Sequence, residues 1–445
     1  MKVTRILSAA AAAALVCAVV ASCGSNTSSP SATSNASATS TGSASSATPE
    51  LKGTITYLNH RTDLNDAVFQ NKYVKDFEKL HPGVTVKCQA FVDYQGTLQT
   101  RMNTDNYGDV LDSVTPVTSN QYPTFYQSLG TTDELSKTYQ FCDTYSVNGQ
   151  QYGLTTGVDA TGMAYSAPVF KQAGITTLPT TPDEFIKDLQ AIKAKCPGVV
   201  PLYTNYSAGW PLTNWAGQVS TWNGDVNWQS NMMKDPKAFA PGSVSYQNLQ
   251  LLYQCVKLGL VEKDPVTSDW ETSKTDLGNN KIGVMYLGSW VVPQCSTRST
   301  TNTPDDVQFM PAPIRPDGKS VLVVGPDMGI HVSKHSANPD LAKAWLFYFL
   351  SVYPKDSGMM APQKGAALPS FMSNIPQATF ISDTALTADQ SKIWNNVQKD
   401  SGISLSDPAW ITKIVDMGLG TNKTSFEDYM KQLNDKWSAA VKADG

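Results

Sequence analysis

The sequence predicts two α/β lobes, and three observations carry that expectation. Residues 51–445 outnumber what one hydrophobic core serves, since single cores stop growing beyond about 250–300 residues. Runs of β-branched and aromatic residues alternate with runs of helical period, the pattern of a mostly parallel sheet covered by helices. Past the amino-terminal leader, no apolar run approaches the ~20 residues that a membrane-spanning helix needs.

The leader opens with Lys2 and Arg5, continues as an apolar run from Ile6 to Val20, and ends in small residues. Those are the three parts of an export signal. Its end, Val20-Ala21-Ser22-Cys23-Gly24, resembles the bacterial lipobox. The resemblance implies lipidation of the Cys23 thiol, cleavage before it and acylation of the new amino terminus. Several acyl chains anchor durably where one is marginal. From Gly24 to Pro49 the chain is almost entirely Ser, Thr, Ala, Gly and Asn, too poor in apolar surface to offset the entropy of ordering. Residues 1–22 therefore read as a signal peptide. Residues 23–50 read as a lipidated cysteine followed by a disordered spacer that holds the working part off the membrane.

The body begins with a strand at Thr54–Leu58. Phe69, Tyr73, Phe77 and Leu80 then recur at helical spacing until His81-Pro82-Gly83 stops them. Val84, Val86, Cys88 and Ala90 alternate as the inward face of a second strand. Tyr94, Leu98 and Met102 mark a second helix, which leads to a short strand near Asp109-Val110-Leu111. Farther on, Thr181-Pro182-Asp183-Glu184 reads as a capping box with proline in the first turn, followed by the apolar stripe Phe185, Leu189 and Ile192. Lys281–Tyr286 is a strand ended by Leu287-Gly288-Ser289-Trp290, and Asn338-Pro339-Asp340 caps a helix whose Leu341, Ala344, Trp345 and Tyr348 face a core. Trp394, Trp410 and Trp437 belong to helices and loops packed on a lobe.

Charge and cysteine use narrow the function. The chain carries 34 basic and 38 acidic side chains, and loss of Lys2 and Arg5 with the leader makes the mature form more acidic still. Nothing there favours a phosphate backbone, so a nucleic-acid partner is not expected. Cys88, Cys142, Cys196, Cys255 and Cys295 remain in the body, an odd number that leaves at least one thiol free. Export permits one or two disulfides, with the pairing open. No pair has C-x-x-C spacing and only His60, His81, His331 and His335 could assist, so a zinc site and a thiol protease are both improbable. No cofactor is expected.

Several segments, in order, resemble the extracellular solute-binding proteins of sugar-importing ATP-binding-cassette systems. They are Gly53–Tyr57, Phe77–Val86 (FEKLHPGVTV), Gly149–Leu154, Ala164-Tyr165-Ser166, Phe170–Phe185, Gly288-Ser289-Trp290, Met310–Pro313, Gly325–Asn338, and Lys364-Gly365 with Leu368-Pro369. The series spans nearly all of residues 53–375. At one position the family usually has Tyr-Asn where this chain has Tyr165-Ser166. The resemblance implies a type II periplasmic-binding-protein-like fold with a ligand cleft between lobes joined by a hinge. Lobe 1 would comprise 51–159 and 323–353, and lobe 2 would comprise 160–322 and 354–445. It further implies carbohydrate capture by hinge closure and delivery to permease subunits, with no chemistry on the ligand. The expected working unit is a monomer on the outer face of the cytoplasmic membrane.

A sugar offers hydroxyls and a weakly apolar ring face, so its cleft needs donors, acceptors and aromatic planes. Tryptophan is absent between Leu51 and Gly209 and then crowds at Trp210, Trp215, Trp222, Trp228, Trp270 and Trp290. Trp210 stands out because its loop, Tyr203–Pro211 (YTNYSAGWP), is polar and poorly suited to a core, and Trp290 because it follows a strand. Trp215, Trp222 and Trp345 read as packing. Asn59, His60, Arg61 and Asp63 lie beyond the first strand's carboxyl end, and Asp112 lies beyond the third, where open α/β sheets place ligands. Asp159 falls at the implied first crossover and Asp327 at the implied return. The ligand-binding set is therefore Asn59, Arg61, Asp63, Asp112, Asp159, Trp210, Trp290 and Asp327. Asp93 reads as a helix cap.

Two alternatives stay open on the residues alone. One is an anchored carbohydrate-processing enzyme, which would need two positioned carboxylates but shows no recognisable catalytic pattern. The other is a receptor for iron or another anion, kept alive by Tyr203 and Tyr206.

Overall fold

The computed structural model describes residues 51–61, 69–91, 93–114, 117–300, 303–373, 375 and 378–444. The leader, Cys23, the spacer and Asp63 lie outside the described residues.

β1 (Gly53–Asn59) runs parallel to both β2 (Val84–Ala90) and β3 (Val110–Asp112), with Ile55 opposite Val86. Between β1 and β2 a π-helical stretch, Phe69–Val74, leads into the helix Lys75–Leu80. Tyr73 and Phe77 are buried as their spacing predicts, but Leu80 is 64 % exposed. Leu80 is the last residue of that helix, next to the C-cap His81, where the apolar stripe runs out into the turn. β4 (Gly130–Thr131), β5 (Ser146–Val147) and β6 (Gln150–Gln151) make a small sheet in the order β4-β6-β5.

The next segment feeds three sheets in succession through β7 (Leu154–Thr155), β8 (Val158–Ala160) and β9 (Met163–Ser166). β9 joins β10 (Val200–Leu202), β11 (Ile282–Met285) and β12 (Val307–Met310) in a four-stranded sheet, order β10-β11-β9-β12. β13 (Ser320–Pro326) then pairs antiparallel with β8, placing Gly325 opposite Asp159. β14 (Gly329–Val332) returns to the first sheet and completes its order, β2-β1-β3-β14-β7. β15 (Ala378–Ile381) lies parallel along β13, closing a third sheet, β15-β13-β8.

The sheets are mixed rather than mostly parallel. In the first, β14 is antiparallel to both β3 and β7, and in the second β9 is antiparallel to β11 and β12. Strands joined by helices in one lobe are parallel; strands arriving through β8 and β13 enter from the other end and are not.

Two main cores hold the lobes. One packs Ile55, Tyr57, Tyr73 and Phe77 against Trp345, Leu346 and Phe349 of the helix Pro339–Ser357. The other gathers Phe185, Leu189, Ile192, Trp215 and Trp222 with Trp394, Trp410 and Trp437 from the helices Ala388–Ser401, Ala409–Leu419 and Phe426–Asp444. Among the described residues, no helix is long and apolar enough to cross a membrane.

Three local expectations need correction. At the helix Pro182–Lys195 the Thr181 hydroxyl caps the Glu184 amide at 3.2 Å, but the Glu184 carboxylate accepts from the Thr180 amide and hydroxyl, at 2.7 Å each, instead of from Thr181. Asn338 stands at the start of its helix without a side-chain cap; its amide reaches the Thr54 carbonyl across the sheet. The five body cysteines are all free. They serve as small apolar fillers: Cys196 donates to the Val169 carbonyl and Cys142 to that of Tyr139.

Candidate functional site

The cleft lies where β8 and β13 pass side by side, and its volume is about 580 Å³. One wall is aromatic. Trp210 opens a 3-10 turn after Gly209, Trp290 opens the helix Val291–Ser296 after β11, and Trp270 opens the helix Trp270–Gly278. Ring centroids lie 5.1 Å apart for Trp210–Trp270, 5.8 Å for Trp210–Trp290 and 5.9 Å for Trp270–Trp290. Trp210 and Trp290 are inclined by only 36°, so two indole faces look broadly the same way, while Trp270 meets Trp210 edge-on at 80°. Gly288 makes this possible, because a Cβ there would sit 2.6 Å from the Trp290 indole nitrogen.

Charge is built in behind this wall. The nearly buried Lys274 ammonium lies 2.8 Å from Glu271, 3.4 Å from Gln294 Oε1 and 4.8 Å from the Trp270 ring centre. Glu271 also pairs with Arg298. Burial pushes the Glu271 carboxyl up, but its bonds to Lys274 and Arg298 outweigh that and hold it below the usual carboxylate range.

Polar residues line the rest of the cleft. Asp159 comes from β8 and Asp327 from just beyond β13, where the Asp327 amide donates to the Gly157 carbonyl at 3.0 Å. Burial, and then the charge of Asp327, push the Asp159 carboxyl well above its usual range against the Ser289 hydroxyl and Arg61. A carboxyl held neutral can donate as well as accept. Thr156 Oγ1 donates to Asp327 at 3.2 Å. The Arg61 guanidinium donates to the Tyr353 hydroxyl, and its amide donates to Asn59 Oδ1. Tyr145, Met328 and Met359 complete the floor. The Tyr145 ring is braced edge-on by the buried His331, 5.0 Å away.

Five of the sequence-predicted residues come together here: Arg61, Asp159, Trp210, Trp290 and Asp327. Asn59 and Asp112 do not, because both are 1 % exposed and spent on the wall behind. Asn59 accepts from Arg61 N and donates to the Gln89 carbonyl, an internal turn. Asp112 accepts from the Tyr57 hydroxyl and from His60. Asp93 caps its helix through Gly96 N. Trp215 and Trp222 are core. Tyr203 and Tyr206 are engaged with the Asp269 amide and the Asp416 carboxylate, so they form no ligand cluster. Sequence reasoning missed Trp270, Glu271, Lys274, Gln294 and Tyr145. Trp270 was named in the crowded tryptophan stretch, but nothing in the spacing singled it out from its neighbours.

Two α/β lobes sharing a cleft at crossing strands, walled by indoles and floored by carboxyls, define a receptor that encloses a small ligand. The chain matches the sequence model of the bacterial extracellular solute-binding proteins over residues 63–352 and belongs to that family. A manno-oligosaccharide-specific solute-binding protein of Bifidobacterium animalis subsp. lactis, solved with mannotriose, superposes with a TM-score of 0.77 at 30 % identity, covering 88 % of this chain and 95 % of that one. A second binding protein from the same organism, solved with mannobiose, gives 0.77 at 29 % over the same shares. The multiple sugar-binding protein of Streptococcus mutans is 25 % identical over 323 residues, 68 % of this chain and 72 % of the relative.

Proposed function

We propose that this chain captures a neutral oligosaccharide in the cleft and passes it, chemically unchanged, to the permease of an ATP-driven importer. The observation that carries the reading is the triple-indole cluster of Trp210, Trp270 and Trp290 lining one cleft with Arg61, Asp159 and Asp327. Indole faces suit the C–H face of a pyranose, and a carboxyl, a carboxylate and a guanidinium suit its hydroxyls. Around the cleft Arg61 and Lys274 stand against Glu271 and Asp327, while the Asp159 carboxyl, pushed above its usual range, and the His60–Asp112 pair add no net charge. That balance favours an uncharged ligand. The volume falls within the range of about 300–1,000 Å³ typical of small-ligand sites. Manno-oligosaccharides head the candidates because two relatives solved with mannobiose and mannotriose are 29–30 % identical to this chain.

In this reading Cys23 carries the lipid, residues 24–50 are the tether, and a monomeric receptor works on the outer face of the cytoplasmic membrane. Thermal-shift screening of the mature chain against mono- and oligosaccharides tests the function, since a ligand that binds only the folded state raises its melting temperature. No shift with any glycan, together with turnover of a chromogenic glycoside, would replace it with the enzyme reading.

A further inference from the structure

One cleft residue is held in a way that a neutral hydroxyl-binding wall does not require. His60 leaves the end of β1 and lines the cleft with its side chain 32 % exposed. Its Nδ1 lies 2.6 Å from Asp112 Oδ2, and Asp112 is 2 % exposed. The carboxylate is itself fixed: Oδ1 accepts from the Tyr57 hydroxyl at 2.7 Å, and Oδ2 also accepts from the His60 amide at 3.1 Å. Tyr94 donates to the Asp112 carbonyl at 2.7 Å and meets the imidazole edge-on at 6.2 Å. An ionised carboxylate only accepts, so Nδ1 must carry a hydrogen and the tautomer is set. Among the described residues Nε2 has no hydrogen-bond partner, which leaves that nitrogen to the ligand.

The geometry points to His60 as a specificity-determining residue that engages a ligand oxygen through Nε2, with Asp112 as its positioning residue. The inference rests on the cleft being a glycan site. The charged and titratable groups around the ring are Asp112 behind it, Tyr57 through Asp112, Tyr94 at its edge, Arg61 beside it, and Asp327 from the segment after β13. Burial alone favours the neutral ring. The bond to Asp112, its charge and then that of Asp327 outweigh burial and the opposing Arg61, and the net shift is upward. The imidazolium therefore persists above the ordinary titration of histidine. Below that raised value Nε2 donates a charge-assisted bond, and above it the Nδ1–H ring can only accept a weaker neutral bond there.

Calorimetric titration of mannotriose from about pH 5.5 to 9.5 tests this in the wild type, H60Q and D112N. The wild type should lose about tenfold in affinity toward alkaline pH, the gap between a charge-assisted and a neutral hydrogen bond. Glutamine keeps a donor but does not titrate, so H60Q should remove that loss while leaving any contribution from Asp159 or Asp327 in place. D112N should move the midpoint to lower pH, where a purely structural role would weaken binding equally at every pH. Should D112N fail to fold, the H60Q profile decides alone. The same pH profile in H60Q as in the wild type overturns the proposal. Imidazole NMR of the unliganded protein keeps the two failures apart: a neutral ring protonated on Nε2 refutes this inference whether or not a glycan binds. If no glycan binds while Nδ1 holds the proton, the parent reading has failed and takes the ligand role with it.

Discussion

Removing the Trp210 indole separates ligand stacking from folding. Trp210 is 41 % exposed, and among the described residues its aromatic ring contacts are with Trp270 and Trp290. A tryptophan side chain of roughly 200 Å² then leaves about 80 Å² open for a sugar face. At about 25 cal/mol per Å² that surface is worth about 2 kcal/mol, or about thirtyfold in affinity. In the empty protein the substitution also removes the roughly 120 Å² of indole already buried, about 3 kcal/mol, together with two ring contacts at about 0.5–1.5 kcal/mol each. Trp210→Ala should therefore weaken mannotriose binding about thirtyfold in isothermal titration calorimetry while the chain still unfolds cooperatively. Trp210→Phe, which keeps a face, should lose less than about tenfold. An affinity for Trp210→Ala within about twofold of wild type, with the fold intact, would show that the indole wall does not carry the sugar.

Burial holds the His331 ring, bonded to the Tyr152 carbonyl, down to about 4, against 6.5 for a free imidazole. The neutral ring's contribution is thus complete above the unfolded value and is lost as pH falls from 6.5 toward 4. Urea unfolding should show a fall of about 3 kcal/mol across that window, and His331→Gln should flatten it; an unchanged slope in the variant would refute the assignment. Gly283 lies at the β10–β11 pairing, where a Cβ would sit 2.6 Å from the Pro201 carbonyl oxygen. Gly283→Ala should cost about 1–3 kcal/mol by overpacking, read as a lower denaturation midpoint, and a wild-type midpoint would contradict it. For the anchor, expression of the full chain with a palmitate analogue should label the wild type and not Cys23→Ala, and the variant should leave the membrane fraction. Equal labelling of both would move the lipid elsewhere.

Local periodicity carried much of the fold. Phe185, Leu189 and Ile192 lie fully buried on one helix face, and Trp394, Trp410 and Trp437 meet in one core because each falls on a helix. Leu80 escaped that logic because it is the last residue of its helix, where spacing alone does not show that the stripe has run past the core. Strand direction was harder to read, since β9 and β14 are antiparallel to their neighbours only because the chain arrives from the other lobe. In the cleft, Trp210 and Trp290 were legible because an indole in a polar loop or at a strand end is out of place in a core. Asp112 was legible as important but not in its role: its strand-end position resembles a contact, whereas the imidazole of His60 covers it. Glu271 and Lys274 were hidden because a charged pair three residues apart on a helix usually means only a solvated face.

The most direct test of the account is a crystal structure of the mature chain with mannotriose. The account predicts a pyranose face resting on Trp210 and Trp290, with ligand hydroxyls bonded to Arg61, Asp159 and Asp327 and one ligand oxygen at His60 Nε2. A glycan bound away from the indole wall, or a cleft that stays empty at saturating glycan while another class of solute fills it, would contradict it.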